Sequence, residues 1–174
     1  MLEEINHLNK YIDIIDEEWG GDIDFRSPVS ENHLNELEIF LNYRLPEVFR
    51  WLYTKKTNGL QVDNRAVLGI YDNKNRKTFV ENINRFNDPS KNLYFKGRPQ
   101  IFNDYVIIGY EYKNLVCISK KYDFPDPLLY SCPEPNNPKV VDFYCMDINL
   151  LGFIKKIVYD VFENETKADN WILK

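Results

Sequence analysis

An α+β domain, in which an antiparallel sheet carries N-terminal helices and a C-terminal helix, is the fold class this sequence predicts. Apolar residues recur at helical spacing through the first third of the chain. Short apolar runs replace them from about residue 65, and one helical stripe returns after Asp147. Helices gathered on either side of a strand-rich middle suit an antiparallel sheet with helices packed on it, whereas a parallel sheet needs them in alternation. At 174 residues the chain fits one domain, able to hide roughly 70% of its unfolded surface without disulfide or metal staples.

The first 19 residues read as an amphipathic helix, with Leu2, Ile5, Leu8, Ile12, Ile15 and Trp19 on one stripe. Gly20-Gly21 is expected to end it by supplying a positive φ. Ser30 is a good N-cap for a second helix carrying Leu34, Leu37 and Leu41. Pro46 suits the first turn of a third, short helix with Phe49, Leu52 and Tyr53 inward, closed by Asn58-Gly59. Ala66–Tyr71 reads as a strand ending at the turn Asp72-Asn73. Phe79, Ile83 and Phe86 return briefly to helical spacing, until Asp88-Pro89-Ser90. Tyr105–Gly109 and Leu115–Ser119 predict a hairpin with a medium-length loop over Tyr110–Asn114. Leu128–Ser131 and Val140–Phe143 are further strand candidates, joined by the proline-rich loop Pro133–Pro138. Asp147 is the expected cap of a last helix bearing Leu150, Ile154, Ile157, Val158 and Val161. Trp171-Ile172-Leu173 is expected to dock back on the domain or fray.

Composition excludes several classes. No run of about 18 uncharged apolar residues offers a membrane span, and the acidic start Met1–Ile5 does not resemble a signal peptide. Cys117, Cys132 and Cys145 form no C-x-x-C pair, so reduced, buried thiols in a cytoplasmic protein are the expectation. Aromatics make up 15% of the chain, useful in a core and at interfaces alike. The net charge of −5 disfavours nucleic acid and anionic membranes and favours a basic partner.

No catalytic constellation stands out. His7 and His33 sit on predicted helices as surface or capping residues, and H-E-x-x-H, G-x-S-x-G, Walker-type and G-x-G-x-x-G patterns are absent. The expectation is therefore no catalytic residue, no cofactor and no metal. One feature rises above background: Asp13, Asp16, Glu17, Glu18, Asp22 and Asp24 fall within twelve residues without a Lys or Arg among them. Such a run repels itself and opposes the dipole at a helix end. It is either a solvated helix face or a negative patch for a basic partner. If it is only solvated, the contact surface is to be sought on the loops, at Glu111, Tyr112 and Asp126.

Residues 29 to 59 carry a family resemblance. Val29-Ser30-Glu31, Leu34, Leu37-Glu38, Leu41, Leu45-Pro46-Glu47, Phe49, Leu52 and Asn58-Gly59 resemble the opening of the SUKH superfamily. Tyr105–Tyr110 and Phe143–Val158 are similar to its later strand and closing helix, although Tyr110–Asn114 departs from the glycine- and aspartate-rich turn of many members. The resemblance implies one domain over 1–174, with a variable helix and loop at 1–28, a family core at 29–161 and a tail at 162–174. It implies a protein that works by binding. Bacterial members neutralise polymorphic toxins, often nucleases, and a fungal branch regulates cell-wall synthesis through protein contacts. The function expected is thus an immunity protein against a basic toxin domain, monomeric or weakly self-associating, with a non-enzymatic regulatory module as the alternative.

Overall fold

A computed structural model describes residues 2–70, 82–92, 101–122, 124–133 and 143–162. Helix α1 spans Leu2–Trp19 and buries Leu8, Tyr11, Ile12 and Ile15. Tyr11 joins the stripe because it follows Leu8 at i+3 and precedes Ile15 at i+4. After strand β1 (Asp24–Phe25) come α2 (Glu31–Leu41) and α3 (Glu47–Trp51), the latter continuing as a wider π-type turn over Leu52–Lys56. Strands β2 (Leu60–Val62) and β3 (Arg65–Val67) precede two single-turn helices, α4 (Ile83–Phe86) and α5 (Ile101–Asp104). Strands β4 (Tyr105–Glu111), β5 (Asn114–Ser119), β6 (Tyr130–Pro133) and β7 (Tyr144–Cys145) lead to α6 (Leu150–Phe162).

The strands form one antiparallel sheet in chain order, β1 to β7. Two-residue turns join β2 to β3 and β4 to β5, whereas the chain passes through α2 and α3 between β1 and β2 and through α4 and α5 between β3 and β4. Helix α6 buries Leu150, Phe153, Ile154, Ile157 and Val158. Its Phe153 packs so closely under Gly109 that an added Cβ there would lie 3.1 Å from the ring and 2.6 Å from the Ala66 carbonyl oxygen. A register shift between Ile107 and Gly109 marks the same place and frees Ile108, whose carbonyl accepts from Leu68 N–H at 2.8 Å.

Capping follows the sequence at α2, where Ser30 Oγ accepts from His33 N–H and His33 Nδ1 lies 3.1 Å from the same hydroxyl. The two helices of 31–51 join across 42–46 as expected, through Asn42 in the left-handed region at φ 45°. Glu38 holds this joint. Its carboxylate accepts from Leu45 N–H at 2.8 Å and pairs with Arg50.

Several sequence expectations are corrected. Positive φ does not end α1, since among the described glycines only Gly59 adopts it. Gly20 is instead constrained by contact, because a Cβ would fall 2.4 Å from the Asp16 carbonyl oxygen. Pro46 is the N-cap of α3, one residue before the position expected. Asn58-Gly59 is no simple helix stop. Buried Asn58 donates to Ile70 C=O at 3.0 Å and accepts from Ile70 N–H at 2.7 Å, replacing a strand partner. Gly59, at φ +87°, lies where a side chain would strike the Val67 carbonyl. Strands β1 and β2 leave no mark in the sequence pattern, being too short to show a period. The strand expected at Ala66 stops at Val67. The hairpin turn is two residues, Tyr112-Lys113, because pairing runs on to Glu111 and Asn114. Leu128 and Leu129 precede β6, and Phe143 precedes β7. Asn149, rather than Asp147, caps α6, its Oδ1 accepting from Gly152 N–H at 3.0 Å. Cys117 and Cys132 are buried free thiols, whereas Cys145 is exposed on β7. Asp72-Asn73, Phe79, residues 134–142, the Val161 side chain and Trp171–Leu173 lie outside the described residues.

Candidate protein-binding site

Antiparallel pairing carries three connections to one end of the sheet. The β2–β3 turn holds Asp63 and Asn64, and the β4–β5 turn holds Tyr112 and Lys113. The α1–β1 connection reaches the same end, because Asp24 pairs with Gln61 and the chain before it runs toward Asp63. Tyr112 N–H donates to Asn64 C=O at 2.8 Å, which ties the two hairpin turns together.

The acidic run lies along the last turns of α1 and its exit. It is smaller as a free negative surface than its charge count suggests. Asp13 pairs with Lys56 from the π-type turn, and Asp24 pairs with Arg26 at 3.3 Å. Glu18 is half-buried and has an interaction within the chain. Asp16, Glu17 and Asp22 are exposed. Their carboxylates have no ion pair or hydrogen bond among the described residues.

Glu111 and Tyr112 are placed together, but differently. Glu111 is buried and pairs with Lys156 of α6, so it fastens the helix to the hairpin. Tyr112 is 57% exposed at φ 54°. Its ring lies beneath the Arg65 guanidinium, 4.0 Å from ring centre to Cζ, and its hydroxyl accepts from the same group. Arg65, only 3% exposed, also pairs with Asp63 at 3.4 Å. Buried cations demand such partners, since an uncompensated one costs several kcal/mol.

Asp126 belongs elsewhere. It is half-buried near the start of α6, where Oδ2 accepts from Asn149 Nδ2 at 2.6 Å. Burial pushes its carboxyl above the usual range, against the lowering effect of the Asn149 bond. It orients the residue that caps α6, a structural task. The hairpin and the acidic run therefore share one end of the fold, and Asp126 does not join them.

The segment that builds this frame, residues 28–149, matches the family model described as SMI1 / KNR4 family (SUKH-1). The chain belongs to this family. No curated protein matches it significantly. The match covers α2, α3 and strands β2 to β7 and stops just short of α6, while α1, β1 and the whole acidic run precede it. No helix among the described residues is long and apolar enough to cross a membrane.

This SUKH-1 chain has a second exposed surface that the sequence did not single out. Tyr122 and Phe124 stack at 6.0 Å and line a cleft of about 170 Å³ with Ser119, Pro127, Leu128 and Tyr130. It sits at the opposite end of β4 and β5 from Tyr112, because Tyr105 pairs with Ser119 there. Loop aromatics without a period give no sequence signal to separate them from core residues. Titration shifts elsewhere accompany structural bonds. Burial raises Tyr53, whose hydroxyl donates to Leu68 C=O at 2.9 Å. Asp88 is lowered to about 2, chiefly by the Ser90 hydroxyl.

Proposed function

We propose that this SUKH-1 chain is an immunity protein that binds and neutralises a cognate toxin domain in the cytoplasm, acting by occlusion and not by catalysis. The observation that carries the reading is the set of exposed carboxylates of Asp16, Glu17 and Asp22, unpaired among the described residues, beside the hairpin end of the sheet. With a net charge of −5, that surface suits a basic partner, and a nuclease with a phosphate-binding cleft is the toxin class it fits. The runner-up, a regulatory interaction module, draws on the cleft of Tyr122, Phe124 and Leu128, which offers a second partner surface at the far end of the sheet.

Co-expression tests the proposal. The chain should restore growth to cells producing the toxin domain encoded beside it, and the purified pair should form a complex of defined stoichiometry. Unrelieved toxicity together with no complex would remove the immunity reading, and a neighbouring gene without any toxin domain would favour the regulator.

A further inference from the structure

We infer that Tyr112 is the anchor on which the partner closes, with the carboxylates of α1 as its rim. The inference rests on the immunity reading and adds where the dissociation rate is decided. Four non-glycine residues among those described have positive φ: Asn42, Asp63, Tyr112 and Asp147. Asn and Asp accept the left-handed region because their short polar side chains bond locally, but a bulky tyrosine is unusual there. The turn itself therefore does not call for tyrosine, and any of the smaller residues would form it at lower cost.

What the tyrosine adds is a fixed aromatic surface. Its backbone is tied to Asn64, its hydroxyl to Arg65, and one ring face to the Arg65 guanidinium, while the residue remains 57% exposed. A side chain already immobilised loses little entropy on binding, which is what makes aromatic anchors effective. Most charges around it are matched, since Arg65 pairs with Asp63 and Glu111 with Lys156, while Lys113 of the same turn is exposed. An uncharged aromatic centre with charged groups around it is the usual anatomy of a protein interface. The scale also fits. Three strand spacings separate β1 from β4, about 14 Å, whereas a standard interface covers about 800 Å² per partner, a disc of roughly 16 Å radius. One partner can therefore cover both Tyr112 and the acids beside β1.

The test measures association and dissociation rates with the neighbouring toxin domain, prepared as a catalytically inactive variant. Tyr112→Asn keeps a residue suited to the left-handed turn, and Tyr112→Phe keeps the ring without its hydroxyl. The Asn variant should dissociate at least about 30-fold faster with little change in association rate, and the Phe variant should stay within about 3-fold of the native chain. A thermal melt establishes that each variant is folded. As a second readout, a benzophenone photo-crosslinker at Tyr112 should capture the toxin, and the same group at Tyr122 should not. A folded Tyr112→Asn that dissociates at the native rate, or capture from Tyr122 alone, overturns the anchor and leaves the immunity reading standing. Equal losses in Asn and Phe variants would assign the effect to the Arg65 bond and overturn the ring as anchor. Failure of the native chain to bind the toxin overturns both.

Discussion

The block from Ser30 to Gly59 and the hairpin end around Tyr112 spend their polar residues in opposite directions. In the first, Glu38 ties Leu45 and Arg50, Asn58 pairs with both backbone groups of Ile70, and Ser30 caps α2. Each bond closes inside the domain. At the second, Asp16, Glu17, Asp22 and the Tyr112 ring face outward. The residues that mark the family thus account for the frame, and the surface available to a partner lies largely in residues without a motif. That division is the one expected where function resides in sites carried by a fold.

The comparison can be broken by mutation, and the largest effects should fall in the frame. Leu37 is 1% exposed, so Leu37→Ala should lose about 2–5 kcal/mol in a denaturant titration through lost burial and the cavity left behind. Asn58→Ala should cost roughly 2–4 kcal/mol, because it strands a buried N–H and a buried C=O of Ile70. A loss below about 0.5 kcal/mol would show that water replaces the amide and that the motif is not a structural device.

At the outward end the expected pattern reverses. Replacing Asp16, Glu17 and Asp22 by Asn, Gln and Asn should alter stability by less than about 0.5 kcal/mol, yet slow association with a basic toxin several-fold at low salt. The slowing should fade near 0.15 M, where the Debye length is about 8 Å. Unchanged stopped-flow kinetics at low salt would return these acids to a solvated helix face.

Asp126 gives the smallest effect and sharpens the boundary between the two regions. Its carboxyl titrates above the ordinary value, burial being the main cause. The folded state therefore holds the proton more tightly than the unfolded chain. The associated stability is fully present below the unfolded pKa, near about 3.9, and is lost as pH rises through the folded value. Asp126→Asn retains an acceptor for Asn149, so its melting temperature should match or slightly exceed that of the native chain at neutral pH. The gap should close near about pH 3. Toxin affinity should be unchanged, as befits a residue that positions α6.

Sequence alone determined the long helices, the β4–β5 hairpin, the α+β class and the family, because these rest on periodicity and local turn chemistry. Leu34, Leu37 and Leu41 are spaced for one helix face whatever surrounds them, and Ser30 caps its helix from three residues away. Only the tertiary structure decided which charges are free and which residues meet. Asp13 and Lys56 are 43 positions apart, and Tyr112 and Arg65 are 47. Two-residue strands such as β1 exist only because a neighbour supplies their hydrogen bonds. A local pattern carries no record of such distant pairings, so the six acids between Asp13 and Asp24 could be counted from the sequence, but the three left unpaired among the described residues could not.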